Sequence, residues 1–124
     1  DLARVLARNG LDLPIDWLWL SSYAMARSQG SVVVRAAPDC EVRNAHLLLI
    51  DGVLDSGRTL ATAIELLTAR GARKITTAVV VDKHLPQARL RADYACFCGV
   101  DAFIAGYGMD DQGLARGQAD IIAL

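Results

Sequence analysis

The sequence predicts an α/β fold in which a mainly parallel β-sheet is flanked by helices. Two largely apolar runs, His46–Ile50 and Lys74–Asp82, are typical of strands buried on both faces. Between them, a helical pattern runs from about Thr59 to Arg70 and ends at Gly71. A strand, a helix and a second strand in this order form a crossover unit, and such units place the two strands side by side and parallel.

Shorter elements are predicted on both sides of this unit. We expect a helix over residues 1–9 and strands over 15–20, 31–35, 103–106 and 121–124. Trp17 and Trp19 share one face of the first of these strands, where they suit a core or a subunit interface. In parallel sheets, ligands bind beyond the carboxyl ends of the strands. The loops that follow Ile50, Val81 and Gly106 should therefore form the binding edge.

The composition fits one compact domain over residues 1–124. Apolar residues make up 53% of the chain, and 13 basic against 14 acidic residues give a net charge of −1. That balance provides no field to attract nucleic acid or an anionic membrane. The apolar runs are too short for a membrane-spanning helix, and no signal peptide is visible. The chain begins inside a helical pattern and without methionine, so we expect it to be part of a longer protein.

The three cysteines, Cys40, Cys96 and Cys98, are an odd number. Cys96 and Cys98 are two residues apart and would share one face of a strand, a spacing that suits neither a disulfide nor a CxxC site. With only two histidines in the chain, a zinc site is not expected. We interpret the cysteines as reduced thiols of a cytoplasmic protein.

A Gly-rich turn between the central strand and helix has the properties of a phosphate site. Backbone N–H groups and the positive end of the helix dipole meet at such a turn. The segment 52–59 differs from the P-loop pattern GxxxxGK[ST] by one residue, since Arg58 replaces lysine. However, a P-loop wraps polyphosphate, and Asp55 inside the turn would repel it. A sugar monophosphate fits better, with Asp51 accepting hydrogen bonds from ribose hydroxyls and Asp55 lying beside the sugar.

The residues Leu48-Leu-Ile-Asp-Gly-Val-Leu-Asp-Ser-Gly-Arg-Thr-Leu60 resemble the phosphoribosyl pyrophosphate signature of the type I phosphoribosyltransferases. Four other segments resemble the hypoxanthine-guanine branch of that family: Val81-Asp82-Lys83, Asp93-Tyr94, the run from Asp101 to Asp110 with Arg116, and Ser21-Ser22-Tyr23 with Gly30. The resemblance covers residues 16–124. It implies the type I phosphoribosyltransferase fold, with its N-terminal part missing.

The resemblance also implies roles for individual residues. On the phosphate side, the 5′-phosphate would be bound by Asp55, Ser56, Gly57, Arg58 and Thr59. Asp51 would hold the ribose hydroxyls, directly or through Mg²⁺. Asp55 would also act as the general base that handles the proton on purine N7.

The remaining implied roles concern the purine, the pyrophosphate and a lid. Lys83 would hydrogen-bond the 6-oxo group of the purine, Phe103 would stack on the ring, and the Ile104 backbone would read the neighbouring exocyclic position. Asp110 would hold a second Mg²⁺, and Arg116 would contact the pyrophosphate. On the lid loop, Ser22 and Tyr23 would close over the site and exclude water.

The implied reaction transfers 5-phosphoribosyl from phosphoribosyl pyrophosphate to hypoxanthine or guanine, with Mg²⁺, in cytoplasmic purine salvage. The resemblance further implies a homodimer or homotetramer. Two departures from the family pattern stand out: Gly52 occupies the place of a second acid, and the family's pyrophosphate loop has no counterpart after Asp1. These departures keep an alternative open, a non-catalytic regulator that binds phosphoribosyl pyrophosphate or purine nucleotides on the same fold.

Overall fold

The computed structural model describes residues 1–21 and 32–124. The chain folds as two compact units, Asp1–Glu41 and Val42–Leu124. The predicted lid residues Ser22 and Tyr23 lie outside the described residues, so their role stays a prediction. The assignment of residues 1–124 to one domain also stays a prediction.

The first unit contains one helix and one pair of strands among its described residues. Helix α1 (Leu2–Arg8) is followed by β1 (Trp19–Ser21), which pairs antiparallel with β2 (Val33–Ala36). The helix agrees with the prediction for residues 1–9.

The strand predicted over residues 15–20 is largely wrong. Only its last two residues belong to a strand. Before them, the Asp16 carboxylate accepts the backbone N–H of Trp17 at 2.7 Å and that of Cys40 at 2.8 Å. These two donors hold the pKa of Asp16 below its ordinary value. Trp17 is 80% exposed and Trp19 is 65% exposed, so their assignment to a core is wrong in this unit. A subunit interface stays a prediction for them.

The second unit is built on the expected parallel sheet. Strands β3 (His46–Leu54), β4 (Lys74–Asp82) and β5 (Tyr94–Cys98) lie in that order and are parallel, and helix α2 (Arg58–Ala69) connects β3 to β4. Leu60 of α2 is buried and packs with Leu54 and Val79 in the core of this unit. The parallel sheet with a crossover helix is therefore confirmed.

Strand β3 is longer than the sequence predicted. It continues through Asp51 and Gly52 to Leu54, because this part of the strand still pairs with β4, Asp51 opposite Val79 and Leu54 opposite Asp82. Asp51 and Gly52 were expected in the turn and lie instead on the strand. The turn is thereby confined to the residues immediately before α2.

Strand β5 was not among the predicted elements. Its residues are mostly exposed and do not alternate between buried and exposed positions. The two-residue alternation of apolar and polar residues that marks a strand is therefore missing from its sequence. It carries Cys96 and Cys98, whose thiols are exposed and form no disulfide, and Cys40 is exposed as well. Unpaired thiols at Cys96 and Cys98 agree with the sequence interpretation.

The last two strands form a separate sheet. Strands β6 (Ile104–Ala105) and β7 (Ile122–Ala123) pair antiparallel with each other. We expected the loop after Gly106 to leave from the edge of the parallel sheet. That expectation is wrong, because the strand before this loop, β6, belongs to the antiparallel pair. Within the described ranges, no helix has the length and apolar character needed to cross a lipid bilayer.

Candidate functional site

A pocket of about 490 Å³ lies beside the carboxyl-terminal half of β3. This volume is in the range of small-molecule sites. Three of the residues lining the pocket come from β3, and the others come from the chain between Phe103 and Arg116: Asp51, Gly52, Val53, Phe103, Ile104, Tyr107, Gly108, Met109, Asp110 and Arg116. Five predicted site residues therefore share one pocket: Asp51, Phe103, Ile104, Asp110 and Arg116.

Asp51 supplies a half-buried carboxylate to the pocket wall. Its Oδ1 accepts the backbone N–H of Gly52 at 2.8 Å. Burial raises the pKa of Asp51 above its ordinary value, and the Gly52 hydrogen bond opposes that rise only in part. A carboxylate whose second oxygen remains available to a ligand suits hydroxyl groups or a hard cation.

Gly52 occupies a position where there is little space for a side chain. A Cβ atom built on it would lie 3.2 Å from Cγ of Met109 and 3.5 Å from its Sδ. The first distance is shorter than an ordinary carbon–carbon contact of about 3.5–4.0 Å. The thioether of Met109 thus fills the space that a carboxylate at this position would need.

The turn before α2 has the conformation expected of an anion site. Gly57 adopts a left-handed conformation with φ of 72°, and α2 begins at the next residue. Because the N-cap residue of α2 is glycine, no side chain of that residue caps the helix. The first backbone N–H groups of a helix have no partner within the helix, so an anion can bind them.

The turn is backed by a later segment of the chain. The carbonyl oxygen of Ser56 accepts the backbone N–H of Arg89 at 3.0 Å. A Cβ atom on Gly57 would lie 3.3 Å from the backbone nitrogen of Leu90. Glycine at this position therefore satisfies both the positive φ and the close approach of the second segment.

Two predicted residues from different segments meet next to the turn. The Nζ atom of Lys83 lies 3.7 Å from Oδ2 of Asp55, and the backbone N–H of Lys83 donates to the carbonyl oxygen of Leu54 at 3.0 Å. The Lys83 side chain is only 15% exposed, whereas that of Asp55 is 59% exposed. The backbone bond at the end of β3 brings the ammonium group to the predicted base.

Phe103 and Ile104 form the apolar part of the pocket wall. Ile104 is buried in β6, and Phe103 precedes it and is about half exposed. The backbone N–H of Leu124 donates to the carbonyl oxygen of Phe103 at 2.8 Å, which ties this wall to the residue that follows β7. An exposed ring face at a pocket edge suits stacking on a planar ligand.

Asp110 and Arg116 bind each other. Nη2 of Arg116 lies 2.5 Å from Oδ1 of Asp110, and Nη1 donates to the carbonyl oxygen of Gly108 at 2.7 Å. The second oxygen of Asp110 accepts the backbone N–H of Gly113 at 2.9 Å. Both predicted ligand-binding groups are thus engaged inside their own loop, and their roles stay predictions.

The sequence reasoning missed two residues near the site. Met109 gives no sequence signal, because an isolated methionine in a polar loop indicates nothing about its neighbours. Asp82 has no predicted role beyond its place in a motif, yet it is 1% exposed and binds several donors of the following loop. An acid at the end of an otherwise apolar buried strand was the signal available for it.

Metal ligands are sparse in the described parts of the chain. Residues 1–21 and 32–124 contain no group of three or more histidine, cysteine or acidic side chains arranged to hold a metal ion. A metal bound at this site would therefore need oxygen atoms from its ligand as well. Mg²⁺ commonly binds in this way, through one or two carboxylates, water and substrate phosphates.

Comparisons with known proteins agree with this geometry. The phosphoribosyl transferase domain family matches residues 1–112. The hypoxanthine-guanine phosphoribosyltransferase of Mycoplasma genitalium is 32% identical in an alignment of length 122 that covers 93% of this chain and 67% of that protein. The enzyme of the same name from Crithidia fasciculata is 33% identical in an alignment of length 128, gaps included, that covers 100% of this chain and 61% of that protein.

Solved structures give the same result. A Trypanosoma cruzi hypoxanthine phosphoribosyltransferase variant in a ternary substrates complex matches with a TM-score of 0.87 and 25% identity, over 99% of this chain and 67% of that chain. The chain spans about 56–67% of the length of the first three curated relatives it matches.

Proposed function

The chain belongs to the phosphoribosyltransferase family, in its hypoxanthine-guanine branch, and on this premise we propose the reaction of the protein that contains it. The protein transfers 5-phosphoribosyl from phosphoribosyl pyrophosphate to hypoxanthine or guanine, and it releases pyrophosphate. The product is a nucleoside monophosphate, so the reaction serves purine salvage.

The contact between Lys83 and Asp55 is the observation that carries the proposal. It joins the ammonium group of a mostly covered lysine, suited to the oxygen of a 6-oxopurine, to the turn that suits a phosphate. Asp51 lies four residues before Asp55, on the strand that leads into that turn. Groups for a base, a sugar and a phosphate therefore follow one another along the end of β3 and its neighbours.

The mechanism assigns binding and proton handling to the protein. Backbone N–H groups of Ser56 to Thr59, with the guanidinium of Arg58, bind the 5′-phosphate. As the bond between C1′ and the pyrophosphate oxygen breaks, positive charge develops on the sugar. The carboxylates of Asp51 and Asp55 stabilise that charge. Asp55 accepts the proton of purine N7.

The pocket also suits the planar base and selects among bases. Phe103 stacks on the purine ring, and the backbone of Ile104 reads the exocyclic position next to the 6-oxo group. Lys83 donates to that oxo group. An adenine presents an amino donor there and leaves the ammonium unpaired, so a 6-oxopurine is preferred.

We assign Mg²⁺ as the cofactor of this reaction. Asp51 fits the ion, since its carboxylate lines the pocket and, among the residues that the structure describes, only its Oδ1 accepts a hydrogen bond, from the Gly52 N–H. Asp110 fits a second ion only after its contact with Arg116 opens. When bound, the ion would neutralise charge on the departing pyrophosphate. Arg116, once released, would contact the same group.

The family branch also supports proposals about the cellular setting. We place the protein in the cytoplasm, as a homodimer or homotetramer that binds small molecules and neither nucleic acid nor membrane. The exposed Trp17 and Trp19 are suited to a subunit interface.

A second candidate function is a non-catalytic regulator that binds phosphoribosyl pyrophosphate or purine nucleotides. One observation favours it: Met109 fills the space beside Gly52, where the family has an acid. The site therefore has one carboxylate fewer for binding Mg²⁺. The enzyme is favoured by the intact contact between Lys83 and Asp55.

An activity assay separates the two candidates. The purified protein is incubated with Mg²⁺, phosphoribosyl pyrophosphate and each purine base, and nucleoside monophosphate is measured. Asp55→Asn should lower kcat by about 10²–10⁴-fold, the scale of general acid–base catalysis, and change nucleotide affinity far less. The control Glu65→Gln neutralises an exposed carboxylate within α2 and should change neither value.

Three outcomes count against parts of the proposal. Equal losses of turnover and affinity in Asp55→Asn would show that Asp55 is not the base. Binding of nucleotides without any product formation would select the regulator. Absence of both binding and product would reject the two candidates together.

A further inference from the structure

A buried carboxylate at the end of β4 has no role in the reaction described above. Asp82 is 1% exposed, and it is the last residue of its strand. Burying a carboxylate is costly unless donors surround it. Such a residue at the end of a largely apolar strand therefore indicates a specific task for its two oxygens.

The donors around Asp82 come from both ends of one loop, residues 83–92, which we call the clasp loop. At its start, the backbone N–H of His84 donates to Oδ1 at 2.9 Å. At its end, the backbone N–H of Ala92 donates to Oδ2 at 3.3 Å, and the Arg91 guanidinium lies 3.7 Å from Oδ1. One carboxylate thus holds the two ends of the clasp loop together.

The clasp loop contacts the candidate site at two places. Lys83, the residue after Asp82, reaches Asp55 at 3.7 Å. In the middle of the loop, the backbone N–H of Arg89 donates to the carbonyl oxygen of Ser56 at 3.0 Å, inside the phosphate turn. His84 has a positive φ of 56°, an uncommon conformation for a residue with a side chain, and its bond to Asp82 stabilises it.

From these contacts we infer that Asp82 is a positioning residue for base recognition. By closing the clasp loop, it fixes Lys83 beside Asp55, 3.7 Å away, so that the two groups can act on one bound purine. The inference rests on the proposed function for its ligand. Its structural half, the closure of the loop by Asp82, does not depend on that function.

The variant Asp82→Asn tests the inference with little change of shape. The amide keeps one acceptor and turns an NH₂ group toward a backbone N–H, so one end of the loop is released. The control is Asp16→Asn, because Asp16 also accepts two backbone N–H groups but lies in the first unit. Each variant loses one negative charge and one of the two carboxylate oxygens that accept backbone N–H groups.

Binding of the nucleoside monophosphate, measured by calorimetry, gives the functional readout. Asp82→Asn should weaken it about 10-fold or more, the usual scale for residues that orient a ligand-binding group. Asp16→Asn should change it less than about twofold. In a Lys83→Met background, Asp82→Asn should add less than about another twofold, since its effect acts through Lys83.

Hydrogen exchange gives the structural readout. The backbone N–H groups of His84 and Arg89 should exchange faster in Asp82→Asn and unchanged in Asp16→Asn. Unchanged exchange in Asp82→Asn overturns the inference whatever the ligand. Additive losses in the double variant with Lys83→Met also overturn it, since Asp82 would then act on binding by another route. If the unaltered protein binds no nucleotide while exchange responds as expected, the proposed function fails and the loop closure stands.

Discussion

Gly52 and Met109 provide a sharp test of the pocket geometry. The substitution Gly52→Ala adds one methyl group to β3, 3.2 Å from Cγ of Met109. An ordinary contact between two such carbons is about 3.5–4.0 Å, so the pair must separate by a few tenths of an ångström. The strand is held by its pairing with β4, and therefore the Met109 side chain has to move.

The cost of that movement follows from the flexibility of methionine. Its three rotatable bonds let it adapt, and a displacement of about 30° from a favoured rotamer costs about 0.5–1.5 kcal/mol. Met109 lines the pocket, so the displaced thioether enters the ligand's volume. Nucleoside monophosphate binding should weaken by about 2- to 13-fold, the ratio that corresponds to this energy.

A double-mutant cycle isolates the contact. Gly52→Ala and Gly52→Asp are each measured alone and together with Met109→Ala, by calorimetry for binding and by urea unfolding for stability. In the Met109→Ala background the added methyl group should cost less than about 0.5 kcal/mol, because its neighbour has been removed. Equal costs in the two backgrounds would refute the reasoning. The aspartate shows in addition whether a second acid strengthens Mg²⁺-dependent binding once Met109 is absent.

The two remaining predictions concern buried and half-buried groups of the sheet. Thr77→Val removes two hydrogen bonds, from the Thr77 hydroxyl to Asp93 Oδ2 and from the Asp93 N–H to that hydroxyl, both 2.8 Å long. Near neutral pH the free energy of unfolding should fall by about 1–2 kcal/mol, at the low end for two bonds because Asp93 is largely open to solvent. The Thr77 N–H and hydroxyl lower the pKa of Asp93 in the folded protein. These hydrogen bonds therefore stabilise the fold above the unfolded pKa of about 3.9, and this stabilisation is lost as the pH falls through the folded pKa. Urea unfolding should therefore show the gap between Thr77→Val and the unaltered protein narrowing in acid, and a constant gap would contradict this account. Burial raises the pKa of Asp51 in the folded protein. The free energy of unfolding is therefore highest below the unfolded pKa and falls as the pH rises through the folded pKa. Asp51→Asn should raise stability near neutral pH, leave it unchanged below both pKa values and weaken nucleotide binding; lower stability at neutral pH would contradict the burial argument.

Elements with a strong local pattern were predictable from the sequence. Strand β4 was predicted with its observed bounds, and α2 begins and ends one residue before its prediction. Both have an unbroken apolar pattern and a clear stop. Strand β5 was not predicted, because it lies at an edge of the three-stranded sheet with most of its residues exposed. An edge strand of that kind has no alternation that a sequence can reveal.

Chain neighbours determine part of the geometry of the site. Asp51 and the turn at Gly57 belong to β3 or follow it directly, so local sequence places them. Asp55 and Lys83 follow the carboxyl ends of neighbouring parallel strands, and this shared edge accounts for their contact, which the sequence analysis did not predict. The contact of Met109 with Gly52 joins residues far apart in the chain and depends on side-chain packing. No periodicity or spacing encodes such a contact.

The ion pair of Asp110 with Arg116 does not oppose the roles proposed for its members. The Arg116 side chain is 61% exposed and that of Asp110 is 36% exposed, and ion pairs open to water contribute only about 0.2–1 kcal/mol. A pyrophosphate offers a guanidinium charge-assisted hydrogen bonds worth about 1.5–3 kcal/mol each. Exchange of the carboxylate for pyrophosphate would therefore be favourable for Arg116, and it would release the Asp110 carboxylate for the metal role proposed for it. The pair is thus compatible with the proposed roles, because opening it would cost little.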